Sequence, residues 1–363
     1  MGKYFILACD GGGIRGYITA SVIEKLVGDP RAGNFLPEVR LTAGTSTGSF
    51  IALALAAGKD IATIKALYEQ ASAKTLFTRN AAIAGKLGGH PPPHGLGKRV
   101  ENMWGLIMGH YDELIDTQYA NTGVMAAAKS VLGESTTLSQ IAPVVVNTLQ
   151  LADTSVTPNT WRPVAISNLG GSPFGAMYAW EAGMCSGAAP IYFPPYSPTS
   201  APLGYCADGG LFANNPSLAA ISSVIAAGVP LEDIYLLSFD TGTTADSMPA
   251  KVIDAWGGPL HMGPVQWLSP ETKNTDGNFT PKFPLLSSLM DSSSESIAMN
   301  AQALLGARCI RVTVPLTTPV SLDDASDASY ATMNTALTSF YGSPGYASVV
   351  DWIARNFAPV RGS

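Results

Sequence analysis

The stretch Val39-Arg40-Leu41-Thr42-Ala43-Gly44-Thr45-Ser46-Thr47-Gly48, followed by Ser49-Phe50-Ile51-Ala52-Leu53-Ala54-Leu55-Ala56-Ala57-Gly58, decides the reading. Val39 to Ala43 is a short strand, residues 44–48 form a tight turn, and an Ala/Leu-rich helix follows to near Gly58. A strand before and a helix after are the context in which Gly-x-Ser-x-Gly marks a nucleophile elbow. On that turn Ser46 is pushed clear of the sheet, and Gly44 and Gly48 permit a close approach that Cβ atoms would block. A serine alcohol is a weak nucleophile, but the positive end of a helix favours the developing alkoxide. The plainer alternative is a serine that only caps a helix.

Upstream, Tyr4 to Cys9 is a continuous apolar run, the pattern of a strand buried on both faces. A glycine loop, Asp10 to Gly16, leads to Ile18, Val22, Ile23 and Leu26 at helical spacing, and Gly28-Asp29-Pro30 stops that helix. Downstream, residues 60–77 read as one helix, Val144 to Leu151 and Trp161 to Ile166 as strands, and Ile234 to Phe239 as a buried strand closed by Asp240-Thr241-Gly242. Helical patterns near 175–187 and 216–228 bracket Cys206-Ala207-Asp208-Gly209-Gly210. The alternation predicts an α/β fold of three layers, a central, mostly parallel sheet with helices on both faces. We expect one domain over residues 1–363, with a core at about 4–240 and a less predictable C-terminal portion at 241–363. Segments 85–110, with His90, His94 and Trp104, and 242–283, with Trp256 and Trp267, read either as covers over a site or as plain surface insertions.

Composition excludes several classes. Of 363 residues 46% are apolar, ample for a large core, and only 13% are charged, with a net charge of −6. No basic cluster offers phosphates a partner, so neither nucleic acid nor anionic lipid bound by charge alone is expected. Cys9, Cys185, Cys206 and Cys309 form no C-x-x-C pair, which argues against zinc and redox motifs; Cys9 reads as a buried thiol, with one or two disulfides left open. The N-terminal apolar run is too short for a signal-peptide core, and Phe50 to Ala57 is far short of a membrane span. The expectation is a soluble, cytoplasmic chain with no transmembrane segment, export by another route staying open. Asp323-Asp324-x-x-Asp327 lacks the spacing of a calcium loop and reads as a solvated turn, so no metal and no cofactor is expected.

Gly11, Gly12 and Gly13 present adjacent backbone N–H groups after the first strand, a fit to an oxyanion site. Gly11-x-Gly13-x-x-Gly16 also fits a dinucleotide fingerprint, but that reading wants an acidic residue at the end of the second strand. Ala43, Gly44 and then Ser46 lie there, and Asp29 precedes that strand. Asp208-Gly209-Gly210 places an aspartate on a turn between a short strand and a helix, a weak signal alone.

Together these pieces resemble the patatin-like phospholipases. The resemblance rests on Asp10-Gly11-Gly12-Gly13-Ile14-Arg15-Gly16, the elbow at residues 44–48, Asp208-Gly209-Gly210, and Ser186-Gly187-Ala188-Ala189-Pro190-Ile191-Tyr192-Phe193-Pro194-Pro195. It covers about residues 4–240. It implies a lipid acyl hydrolase with a Ser–Asp dyad and no histidine, in which Ser46 is the nucleophile and Asp208 the base. Gly11, Gly12 and Gly13 would form the oxyanion hole, with Arg15, Gly44, Gly48, Gly209 and Gly210 in support. The substrate would be an acyl lipid at a membrane or micelle surface.

Two alternatives stay open. Ser46, Asp208 and His261 follow the chain order of an α/β-hydrolase triad, whereas His90, His94 and His110 precede the acid and break it. A nucleotide-binding or regulatory module without catalysis would use only the Gly11–Gly16 loop. Trp104, Trp256 and Phe283 are expected on covering loops that admit lipid.

Overall fold

The apolar run Tyr4–Cys9 forms β1 at the centre of the main sheet. The computed structural model describes residues 2–79, 117–153, 155–243, 248–269, 273–275 and 278–357. Around β1 are β2 (Val39–Thr45), β3 (Val144–Asp153), β4 (Thr160–Ser167), β5 (Cys206–Asp208) and β6 (Ile234–Phe239). A separate hairpin pairs β7 (Lys273–Thr275) with β8 (Asn278–Thr280), and β9 (Cys309–Val312) returns to the main sheet. The strand order is β4-β3-β2-β1-β6-β9. Strands β3, β2, β1, β6 and β9 run parallel to one another, while β4 and β5 run antiparallel to β3.

Side chains alternate across a strand, so β1 builds two cores at once. Phe5, Leu7 and Cys9 pack with the helices Gly16–Val27, Thr47–Ala56, Asp327–Tyr341 and Pro344–Asn356. Ile6 and Ala8 face the helix Ser217–Ala226 and the last turns of Pro284–Leu305. These are the expected three layers.

The topology places the site. From β1 the chain builds β2 on one side and later β6 on the other, and ligands in such sheets bind beyond the carboxyl ends of the strands at the switch. β4 occupies one edge of β3 from Val145 to Asp153, so β2 and β5 share the other edge. There β2 ends at Thr45 opposite Asn147, and β5, arriving from the opposite direction, ends at Asp208 opposite Thr148. The two strands stop nose to nose, and the residue after each turns out of the sheet.

Several expectations change. Residues 60–77 form two helices, Ile61–Ala66 and Gln70–Leu76. Tyr68 lies buried in the break, where its hydroxyl donates to the Thr47 carbonyl at 2.9 Å and its carbonyl accepts from the Tyr330 hydroxyl. Beyond residue 240, where the sequence alone is less predictable, the chain forms a 22-residue helix, β9 and two further helices. All four cysteines are buried and free, so no disulfide forms. Asp323 accepts from the Tyr119 hydroxyl at 2.7 Å, and Asp324 takes the Ser326 N–H at 3.0 Å and the Ser329 hydroxyl at 2.6 Å. That acidic turn is a structural tie, and no metal-holding cluster occurs among the described residues. Among them, too, no helix is long and apolar enough to cross a membrane. His90, His94, His110 and Trp104 lie outside the described residues.

Candidate active site

Ser46 has φ of 52° and ψ of −124°, a left-handed conformation costly for a residue with a side chain. The surrounding chain enforces it. A Cβ on Gly44 would stand 2.2 Å from the Gly48 carbonyl oxygen, and one on Gly48 would stand 2.1 Å from that of Cys9. The Ser46 N–H donates to Ser186 Oγ at 2.8 Å, and its carbonyl accepts from the Ser49 N–H at 2.9 Å and the Ser49 hydroxyl at 2.6 Å. Both backbone groups of Ser46 are therefore held while the residue lines the cavity.

Asp208 is 1% exposed. Its Oδ1 accepts from the Gly210 N–H at 2.7 Å, and Oδ2 has no hydrogen-bond partner among the described residues. Burial pushes the carboxyl up to about 6, opposed by the neighbouring Ser46 hydroxyl and the Gly210 amide. The hydroxyl thus lies close enough to act on the carboxyl without a formed bond to Oδ2, as in many unliganded enzymes. A Cβ on Gly209 would stand 2.4 Å from the Asn147 carbonyl oxygen, so that turn is as tightly packed as the elbow.

The glycine loop is clamped from outside. The Gly11 carbonyl accepts from Thr241 Oγ1 at 3.0 Å and Asn214 Nδ2 at 3.3 Å. Its N–H donates to the Asn214 carbonyl at 3.1 Å and so does not face an anion, which narrows the expectation of three glycine donors. Gly13, with φ of 58°, lines the cavity beside Ser46, and the Ile14 N–H donates to the Leu322 carbonyl at 2.8 Å. Arg15 reaches the Gly12 carbonyl at 3.4 Å through Nε and the Gly242 carbonyl at 3.3 Å through Nη1. Behind the loop, buried Asp10 meets Arg311 through two contacts of 2.9 and 2.6 Å, and Ser294 Oγ also donates to it. Burial raises the Asp10 carboxyl, and the Arg311 guanidinium opposes that rise.

From Ser46 an apolar cavity of about 80 Å³ runs inward between Phe50, Leu67, Phe77, Ala128, Leu132 and Phe193. Phe283 is buried behind this wall, with its ring edge-to-face on Tyr192 at 5.8 Å, so it braces the cavity instead of riding on a covering loop. Trp256 is half-buried just after the helix Ala250–Ala255. His261 is exposed on the turn Pro259–His261 and lines no part of this cavity. Asp29, the acid nearest to a dinucleotide pattern, is paired with Arg31 at 3.0 Å.

Residues 7–221 match the family model described as patatin-like phospholipase. The chain belongs to the patatin-like phospholipase family. A cGAMP-activated phospholipase of Escherichia coli (strain TW11681) is 24% identical over 276 residues, 71% of this chain and 68% of that protein. Patatin-17 of Solanum cardiophyllum is 25% identical over 357 residues, 89% of this chain and 80% of its own. A solved structure of human GIVD cytosolic phospholipase A2 covers 98% of this chain and 60% of its own, at 12% identity and a TM-score of 0.40. The family match takes in the elbow, Asp208 and the glycine loop but ends before Thr241, Ser294, Arg311 and Leu322, which hold that loop in place. Sequence reasoning passed over these four and Asn214. The only local signal for Asn214 is the pair Asn214-Asn215 soon after the Asp-Gly-Gly turn. Nothing near Arg311 in the chain announces its partner 301 positions away.

Proposed function

We propose that the chain is a lipid acyl hydrolase that cleaves acyl esters of phospholipids or related lipids through an acyl-enzyme on Ser46, with Asp208 as base. The observation that carries this reading is the unpartnered, buried Asp208 Oδ2 beside a strained serine at the mouth of an apolar cavity. Ser46 Oγ attacks the ester carbonyl carbon while its proton passes to Asp208. The oxyanion that forms faces the loop amides of Gly12 and Gly13, with Gly11 and Arg15 fixing the loop from behind. One such donor is worth about 10²–10³ in rate. Collapse of the intermediate returns the proton to the leaving alcohol, and water then releases the acid. The acyl chain occupies the apolar cavity, the lipid being drawn from a membrane or micelle. Gly44 and Gly48 shape the elbow, and Gly209 and Gly210 the Asp208 turn. The exposed position of His261 favours the dyad over a triad, and the engagement of Asp29 with Arg31 disfavours a nucleotide module.

An organophosphonate probe tests this reading. It should label wild-type protein at Ser46, and Ser46→Ala should abolish labelling. Ser46→Ala and Asp208→Asn should each lower phospholipid and simple-ester turnover by about 10³-fold or more with unchanged circular dichroism. Folded wild-type protein that takes no label and cleaves no ester would sink the reading.

A further inference from the structure

We propose that Asn214 is a water-positioning residue that, together with Asp208, orients the water which frees the acyl group from Ser46; this rests on the acyl-enzyme reading above. Asn214 is 5% exposed. Its Nδ2 donates to the Gly11 carbonyl, which fixes the carboxamide's orientation, since a flip would set two oxygens against each other. Its Oδ1 is then buried with no hydrogen-bond partner among the described residues.

Two neighbouring glycines locate that oxygen. It lies 2.2 Å from the point where a Gly11 Cβ would stand, and Ser46 Cβ lies 3.0 Å from the same point. Asn214 Oδ1 and Asp208 Oδ1 each lie 3.1 Å from the point where a Gly210 Cβ would stand. The Asn214 carboxamide oxygen is therefore a close neighbour both of Ser46 and of the Asp208 carboxyl. Two buried acceptors in this group have no donor among the described residues: Asn214 Oδ1, and Oδ2, the other oxygen of the Asp208 carboxyl. A buried acceptor left unpaired is destabilising, so a donor brought to this place is favoured.

A reactant with two O–H donors and a free lone pair satisfies both. Acylation offers none, because the ester carbonyl only accepts and the one proton of Ser46 goes to Asp208. Deacylation brings water. One O–H donates to Asp208 Oδ2 and the other to Asn214 Oδ1, which leaves an oxygen lone pair for the acyl carbon. Attack forms the water O–C bond as the first proton moves to Asp208. Collapse breaks the Ser46 Oγ–C bond, Oγ takes the proton back from Asp208, and the carboxylic acid leaves. Methanol has a single O–H, which Asp208 takes, so it attacks without help from Asn214.

Product partition reads this directly, whichever step limits the rate. With a p-nitrophenyl ester in buffer containing methanol, the ratio of free acid to methyl ester is measured for wild type, Asn214→Leu, Asn214→Ala and Thr241→Val. Thr241→Val removes the other side-chain donor to the Gly11 carbonyl and leaves Asn214 Oδ1 in place, so it reports loosening of the loop alone. The ratio should fall tenfold or more in both Asn214 variants and stay within twofold of wild type in Thr241→Val. A wild-type ratio in the Asn214 variants, or folded Asn214 variants that form no acyl-enzyme, would overturn the proposal. Wild-type protein that neither takes a probe at Ser46 nor yields either product would instead overturn the acyl-enzyme reading beneath it.

Discussion

Residues 4–56 and residues 239–322 touch the same glycine loop in opposite ways. The first region contains the loop and the strained serine, and neighbouring residues dictate its geometry: a strand, a turn of small residues, a helix. The second contains neither Ser46 nor Asp208. It grips the loop through the Thr241 hydroxyl on Gly11, the Gly242 carbonyl on Arg15, Ser294 and Arg311 on Asp10, and the Leu322 carbonyl on Ile14. The glycine loop and the strained serine are local in the chain, and their rigidity is not. Sites need both, since a constellation left loose by a fraction of an ångström loses its rate.

The most severe break in the contrast is Gly48→Ala. The new Cβ meets the Cys9 carbonyl oxygen at 2.1 Å and that of Asp10 at 2.6 Å, both backbone atoms, so the elbow must move. We expect a loss of more than about 4 kcal/mol by chemical denaturation, or no folded protein. Wild-type stability in that variant would show that the elbow has slack.

Next comes the remote grip. Arg311→Met strands a buried carboxylate and should cost about 3–5 kcal/mol, with at least a tenfold loss in kcat/KM. Adding Asp10→Asn should restore most of the stability, because it removes the stranded charge. If Arg311→Met alone proves neutral in denaturation, the C-terminal clamp is ornamental.

The Asp208 carboxyl gives a pH test with two opposite signs. As a base it must be ionised, so kcat/KM should fall about tenfold per pH unit below about 6. Stability runs the other way. The folded value of about 6 lies above the ordinary 3.8, so a favourable contribution present below pH 4 is lost as pH rises through 6. Asp208→Asn should therefore gain stability relative to wild type between pH 4 and 7, by up to about 3 kcal/mol, as denaturation midpoints across that range would reveal. A flat difference would mean that the carboxyl titrates normally.

His261→Ala should change least, leaving ester turnover within twofold of wild type. A near-complete loss would restore the triad.

The same contrast explains what the sequence disclosed. β1 and β6 were readable because each is a short apolar run buried on both faces, and β2 because it leads straight into the Gly-x-Ser-x-Gly turn. Ser46 and Asp208 were readable as motifs, each beside glycines that only close packing requires. The helix Pro284–Leu305 was not readable: Asp291-Ser292-Ser293-Ser294-Glu295-Ser296 is a run of weak helix formers, held helical by packing on the sheet. β9 stayed hidden because Arg311 interrupts its apolar pattern, and that charge makes sense only opposite Asp10. The break at Tyr68 likewise answers to Thr47 and Tyr330, partners remote from its own helices. Long-range pairing, not local propensity, decided each of these.

The end-to-end meeting of β2 and β5 on one edge of β3 has a consequence for how such a chain can vary. The proposed nucleophile and base each sit on the stump of a strand paired with β3, and β2 is held by β1 as well. β3 and β4 themselves lie between the two in the chain and are held by pairing, whereas the connections on either side of them supply, among the described residues, no strand of the main sheet and can vary in length. Insertions can lengthen these connections, refashion the cavity wall and admit new acyl groups, while the alcohol and the carboxylate keep their spacing.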